Sequence, residues 1–260
     1  MRVVRTPCGA GDMVWRCWGA GPPLVLLHGQ SGSWRHWVRT IEPFATARQV
    51  WCPDLPSMGD SDLPPGVADV HGVAAATLHG LRAVPELARP FDLVGFSLGG
   101  IVGALAVTGG GVALRRFVAV GCTALGLPMP KVPLRAWRAE AVPARRRAVQ
   151  EANLAALMLA GPPTPEALDL YAQDLERDRY AGKPIGSSTL LLDALSAIDA
   201  PVAGIWGACD ALAGADPSRP EAAMRAVRPD LRFIVVPEAG HWVPYERPAA
   251  FEAALREVLA

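Results

Sequence analysis

Two kinds of hydrophobic run take turns along the chain. Short continuous apolar stretches predict strands buried on both faces: PLVLLHG (Pro23–Gly29), QVWC (Gln49–Cys52), FDLVGF (Phe91–Phe96), FVAVG (Phe117–Gly121), VAGIW (Val202–Trp206) and FIVV (Phe233–Val236). DMVWRCW (Asp12–Trp18) has near two-residue alternation and predicts an early antiparallel strand. Between them, helical patterns cover Trp34–Phe44, Val70–Val84, Leu98–Thr108, Pro220–Val227 and Pro248–Leu259. Strand and helix alternating at this spacing predict an α/β fold, a mostly parallel sheet wound with helices on both faces.

One region breaks the alternation. From about residue 123 to 195 no convincing strand occurs, and Ala-, Arg- and Leu-rich helical segments are punctuated by LPMPKVP, AGPPTP and AGKPIGSS. The expected organisation is therefore a core of residues 1–122 and 196–260 interrupted by an all-helical insertion, 123–195. NLAALMLAG (Asn153–Gly161) puts Leu154, Leu157 and Met158 at helical spacing on one face of it.

The 260 residues suffice for a sizeable core, and 51% of them are hydrophobic. Lys plus Arg and Asp plus Glu number 25 each, so no bulk field draws in nucleic acid or anionic lipid. Five scattered cysteines form no C-x-x-C pair, which predicts neither a disulfide framework nor a zinc site. No apolar stretch at the start suggests a signal peptide, and none downstream reaches membrane-spanning length. A cytoplasmic protein acting on a small molecule, without cofactor, metal, nucleic acid or membrane, is expected. Its oligomeric state is not legible.

The chemistry centres on Gly95-Phe96-Ser97-Leu98-Gly99, a G-x-S-x-G between an apolar strand and a small-residue helix. That setting exposes the Ser97 hydroxyl at the sheet edge and aims the Leu98 N–H at the same point. A hydroxyl is a poor nucleophile without a base, and the base needs an orienting acid. His36, His71 and His79 lie in helical patterns and His28 reads as a structural loop residue, whereas His241 follows the last strand in PEAGHWVPYERP. Asp210 follows a buried strand in IWGACD; Asp54, Asp60, Asp62 and Asp199 are further options for the acid. The order Ser97, Asp210, His241 is the one such triads take on this architecture.

These stretches together, LHGQSGSW (Leu27–Trp34), PDLPSMGDSD (Pro53–Asp62), GFSLGG (Gly95–Gly100), IWGACD (Ile205–Asp210) and AGHWVPYERP (Ala239–Pro248), resemble the α/β-hydrolase family over nearly all of the chain outside the insertion. The resemblance implies catalytic Ser97, Asp210 and His241, an oxyanion hole from the N–H groups of Gln30 and Leu98, and a helical cap formed by the insertion. Ser57 stands where relatives usually carry glycine. The stretch Gly121–Pro133 has no carboxylate, which excludes the acid position some relatives use after the preceding strand and favours Asp210. A serine nucleophile argues against epoxide hydrolase and haloalkane dehalogenase chemistry, which use aspartate there.

The implied function is a serine hydrolase acting on a small or medium uncharged carboxylic ester or lactone, with Trp242, Leu157 and Met158 as substrate contacts. Trp242 and Glu246 also resemble the tail of C–C hydrolases of vinylogous diketones, for which Arg177 or Arg179 in the cap could hold a carboxylate. A ligand receptor on the same scaffold is the non-enzymatic alternative. Fold alone does not decide among them.

Overall fold

The computed structural model describes residues 1–63 and 69–260. Among them, eight strands form one sheet: β1 (Arg2–Cys8), β2 (Gly11–Trp18), β3 (Pro23–Leu27), β4 (Gln49–Pro53), β5 (Phe91–Phe96), β6 (Leu114–Val120), β7 (Val202–Gly207) and β8 (Arg232–Val236), in the order β1-β2-β4-β3-β5-β6-β7-β8. β1 and β2 are antiparallel and β2 pairs antiparallel with β4; β4 through β8 run parallel. The continuous apolar runs are the interior strands. In β3, β5 and β7 every residue is buried, because helices cover both faces.

Nine helices accompany the sheet among the described residues: α1 (Val38–Ala45), α2 (Val70–Ala83), α3 (Leu98–Thr108), α4 (Pro143–Leu157), α5 (Pro165–Arg177), α6 (Leu190–Ser196), α7 (Ser218–Val227), α8 (Val243–Glu246) and α9 (Pro248–Leu259). Alternate residues of one strand serve opposite faces. Val25 and Leu27 pack with Val73 of α2, Ile101 of α3, Leu191 of α6 and Met224 of α7. Leu24 and Leu26 pack with Phe44 of α1 and Phe251 of α9. Each such side chain, fully buried, contributes about 1.5–3 kcal/mol. None of the described helices is long and apolar enough to cross a membrane.

Two local features differ from the sequence expectation. β1 is an additional strand: RVVRTPC is polar and largely exposed, as suits a sheet edge, and carries no apolar run to betray it. The helix expected over Trp34–Phe44 is two elements, a 3-10 turn at Trp34–Trp37 followed by α1. The Ser33 hydroxyl accepts from the Arg35 N–H, and the Trp34 N–H donates to Asp54 Oδ1 at 2.8 Å, so the first turn is built on side chains.

Between β6 and β7 no strand occurs among the described residues. α4 and α5 pack on each other, and their Leu154, Leu168 and Tyr171 join the cluster on the α1–α9 face. α6 instead packs on α3, with Leu191, Ala194 and Leu195 in the opposite cluster.

The topology places the chemistry. The chain moves outward from β3 to β4, then crosses back to β5 on the other side of β3, and a crevice opens at the carboxyl ends of the strands where the direction reverses. The loops after β3, β5, β7 and β8 all leave that edge.

Ser57, in the loop after β4, has φ +74° and is fully buried, and its Oγ has no hydrogen-bond partner among the described residues. A left-handed non-glycine residue costs about 1–2 kcal/mol, an orphaned buried hydroxyl about 1–3 kcal/mol, and glycine's extra chain entropy returns about 0.5–1 kcal/mol. Ser57→Gly is therefore expected to stabilise the fold by about 1 kcal/mol or more, raising Tm by about 2–4 °C. A thermal melt in which this variant is less stable than the parent would show that the hydroxyl makes a contact worth more than the strain.

Candidate active site

β5 runs straight into α3 through a single residue. Ser97 sits at φ +51°, ψ −121°, a conformation that costs on the order of 1–3 kcal/mol and persists only where its surroundings impose it. The Ser97 N–H donates to Val120 O of β6 at 2.8 Å, and the Gly100 N–H donates to Ser97 O at 3.0 Å. A Cβ on Gly95 would lie 2.3 Å from Gly100 Cα, and one on Gly99 would lie 2.4 Å from His28 O. Only glycines let α3 start this close to β3 and β5. Ser97 is partly exposed and stands at the N-terminus of α3. There the Leu98 N–H has no partner among the described residues, as first-turn amides do.

His241 and Asp210 come from neighbouring loops that are stitched together. The Ala208 N–H donates to Val236 O at 3.0 Å and the Cys209 N–H to Ala239 O at 2.8 Å. Both carboxylate oxygens of Asp210 lie 3.0 Å from His241 Nδ1, and Oδ1 also accepts the Leu212 N–H at 2.8 Å. Both side chains are buried. Against a carboxylate Nδ1 holds the proton, leaving Nε2 as the acceptor. Gly121, at φ +55°, makes room for this pair: a Cβ there would stand 3.2 Å from both Asp210 Oδ2 and His241 Nδ1. The Phe96 ring covers the imidazole, centroids 4.9 Å apart.

The loop carrying Gln30 is held by two histidines. His28 Nδ1 donates to Gly29 O at 2.7 Å while its Nε2 accepts the Leu55 N–H at 2.8 Å. His36 Nδ1 accepts the Gly29 N–H at 3.2 Å. Burial lowers the pKa of both imidazoles, His36 well below the ordinary value, which keeps them neutral and able to accept. The Gln30 N–H has no partner among the described residues. The bracing role of His36 was not legible, because its eight-residue separation from His28 matches no motif.

The remaining candidates are engaged elsewhere. Asp54 accepts from the Trp34 and Asp60 N–H groups and from Arg16, 2.8 Å away in a buried pair. Asp60 pairs with Arg16 and Arg177, and Asp62 accepts the Asp12 N–H. His71, His79 and Asp199 are exposed. Burial pushes the Cys122 thiol up to about 12, so it stays protonated beside Gly95.

Two cavities meet at Ser97. One, of about 340 Å³, is lined by Ser97, His241, Leu157, Met158, Trp137 and Tyr171 among others; the second, of about 240 Å³, takes in Ser97, Gln30 and Leu98. A larger open groove of about 580 Å³ between Trp18, Trp34 and Ile41 shares no lining residue with either. Leu157 and Met158 thus face the site. Trp242 does not: it is buried, its Nε1 donates to His36 O at 3.0 Å, and its ring stacks on Tyr245 at 4.2 Å. Expected as a substrate contact, it packs the His241 loop onto the core instead, because the side chain following His241 turns inward. Arg177 and Arg179 line neither cavity; they reach Asp60 and Ser61 O.

A profile of the alpha/beta hydrolase family matches residues 24–254, and the chain belongs to that family. It is 41% identical over 91 residues to 2-succinyl-6-hydroxy-2,4-cyclohexadiene-1-carboxylate synthase of Salmonella arizonae, 34% of each chain. It is 36% identical over 93 residues to pimeloyl-[acyl-carrier protein] methyl ester esterase of Vibrio parahaemolyticus, 35% of this chain and 33% of that one. Over 87 residues it is 36% identical to 2-hydroxy-6-oxo-2,4-heptadienoate hydrolase of Pseudomonas putida, 32% of this chain and 30% of that one. The matched stretches span about a third of the length of these relatives. Across the whole fold, the esterase RhEst1 from Rhodococcus sp. ECU1013 superposes with a TM-score of 0.82 at 24% identity, covering 100% of this chain and 99% of that one.

A polar seam joins the loop after β3 to α5. Ser33 Oγ donates to Asp174 at 2.9 and 3.0 Å, and Arg35 stands 3.3 Å from the same carboxylate. Burial pushes Asp174 up from 3.8 to about 7, against the opposing pull of Arg35 and Ser33. A raised acid pKa means that folding favours the protonated form. The stability it contributes is full below pH 3.8 and is lost as pH rises to about 7. Asp174→Asn is expected to remove that pH dependence, so melts of parent and variant should diverge progressively across this window. Parallel curves would mean that Asp174 is ionised throughout in the folded state.

Proposed function

We propose that this chain is a serine hydrolase that cleaves an uncharged carboxylic ester or lactone through an acyl-enzyme on Ser97. The observation that carries the reading is the buried Asp210–His241 contact at 3.0 Å, opening onto the cavity that also holds the strained Ser97. His241 Nε2 takes the Ser97 proton as Oγ attacks the carbonyl carbon, and Asp210 holds the tautomer and stabilises the imidazolium. The oxygen of the tetrahedral adduct gains negative charge and is met by the N–H groups of Leu98 and Gln30; one such donor contributes about 2.7–4 kcal/mol. The imidazolium then protonates the departing alcohol oxygen, leaving the acyl group on Ser97. Water, deprotonated by His241, attacks the acyl carbonyl and releases the acid and free Ser97.

The helical insertion acts as a cap. α4 and α5 close over Ser97 and supply the apolar wall, Leu157, Met158, Tyr171 and Leu175, of the larger cavity. α6, which straddles residue 195, belongs with the core through its packing on α3. An apolar wall favours an uncharged substrate.

The rival reading, C–C hydrolysis of a vinylogous diketone, draws on the likeness to the Pseudomonas putida hydrolase, but the arginines expected to hold its carboxylate are tied to Asp60 and Ser61. A panel of aryl esters, alkyl esters, lactones and a ring-cleavage diketone on the purified protein separates the readings. Ester or lactone turnover is expected, with Ser97→Ala abolishing it and Asp210→Asn lowering kcat by about 10⁴. Efficient diketone cleavage with negligible ester turnover would replace the reading with the C–C one, and no turnover of any class would favour a receptor.

A further inference from the structure

Resting on the ester-hydrolase reading, we propose that the two cavities divide the substrate: the smaller takes the acyl chain, the larger the leaving alcohol. A tetrahedral carbon on Ser97 Oγ carries three further substituents. The oxyanion points to the Leu98 and Gln30 amides. The leaving oxygen must come within hydrogen-bond reach of the imidazole that protonates it, so the alcohol lies on the His241 side. The acyl carbon takes the remaining direction.

The lining residues separate along these lines. His241 borders the 340 Å³ cavity and not the 240 Å³ one; Leu98 borders the 240 Å³ cavity and not the 340 Å³ one. Ser97, Gln30 and Leu212 border both. Leu212 is the partition, anchored through its N–H to Asp210 Oδ1 at 2.8 Å, the carboxylate that orients His241.

The two chambers differ in chemistry as well as size. Trp137, Tyr171 and Phe96 give the larger one aromatic walls, suited to edge or stacked contact with an aryl group. Of its polar side chains, Asn153 is committed to the Arg135 backbone at 2.8 and 2.9 Å and Ser31 to Asp178, while Gln30 and Arg135 are exposed. The smaller is lined by Ile101, Met129, Tyr180 and Ile185, and at 240 Å³ falls below the range usual for drug-sized ligands, about 300–1,000 Å³. The substrate class is an ester of a bulky apolar or aryl alcohol with a short acyl chain.

The test uses two ester series: 4-nitrophenyl esters of lengthening acyl chain, and acetates of phenyl, naphthyl and larger alcohols. Ile185 and Leu157 are half-buried wall residues, one in each cavity. Ile185→Trp is expected to lower kcat/KM about tenfold or more for butanoyl and longer chains, leaving the naphthyl-to-phenyl acetate ratio unchanged. Leu157→Trp is expected to do the reverse. Circular dichroism spectra and thermal melts matching those of the parent show that each variant is folded. Crossed results, Leu157→Trp shortening the acyl limit or Ile185→Trp selecting against large alcohols, would overturn the division while leaving ester hydrolysis intact. No ester turnover by the parent protein would overturn the reading beneath it.

Discussion

Everything at the carboxyl edge of the sheet depends on the reversal of the chain at Ser97. A residue at φ +51° and ψ −121° is unfavourable in isolation, and three neighbours impose it here. β6 takes its N–H through Val120, α3 takes its carbonyl through Gly100, and the end of β3 lies so close to α3 that Gly99 has no room for a Cβ. The fully buried β5, apolar but for the Asp92 that pairs with Arg48 and Arg115, makes the cost bearable: with both faces covered, slippage of that strand would expose its core residues. The same reversal brings the Ser97 side chain and the Leu98 residue that follows it to the same crevice.

The groups proposed to act with Ser97 are positioned by a second layer of contacts. Gly121 leaves space for Asp210 against His241, the β7 and β8 loops are zipped by two backbone hydrogen bonds, and His28 with His36 holds Gly29 from both its carbonyl and its amide. Glu246 completes the frame. Its carboxylate accepts the N–H of Gly240, beside His241, at 2.6 Å and those of Ala160 and Gly161, just past α4, at 2.8 and 2.7 Å. Insertion and histidine loop are thereby fixed to one another, and the Trp242 N–H to Met158 O bond at 2.7 Å repeats the tie. The wall formed by Leu157 and Met158 is held in register with the imidazole.

Much of this was legible in the sequence where a residue's role follows from its neighbours along the chain. The interior strands announce themselves as unbroken apolar runs because helices cover both their faces, and the glycines around Ser97 mark a turn that only glycine allows. β1 was hidden because an edge strand needs no apolar face. The break between Trp34 and α1 was hidden because Asp54, twenty residues on, takes the Trp34 amide. Trp242 escapes a sequence reading for a related reason: a side chain next to His241 can face the cavity or the core, and the bond from its Nε1–H to His36 O that decides it is tertiary. His36 gave no signal, since its contact with Gly29 forms only once the 3-10 turn folds back over the loop.

The account stands or falls on Ser97 carrying the acyl group. The most direct measurement is inactivation by an activated aryl carbamate, whose carbamoyl-enzyme is slow to hydrolyse, followed by mass spectrometry of the intact chain and its peptides. The account predicts a single carbamoyl group per chain, on the peptide holding Ser97, with activity lost in proportion to its incorporation. A carbamoyl group on any other residue, or full modification of Ser97 with activity retained, would contradict it.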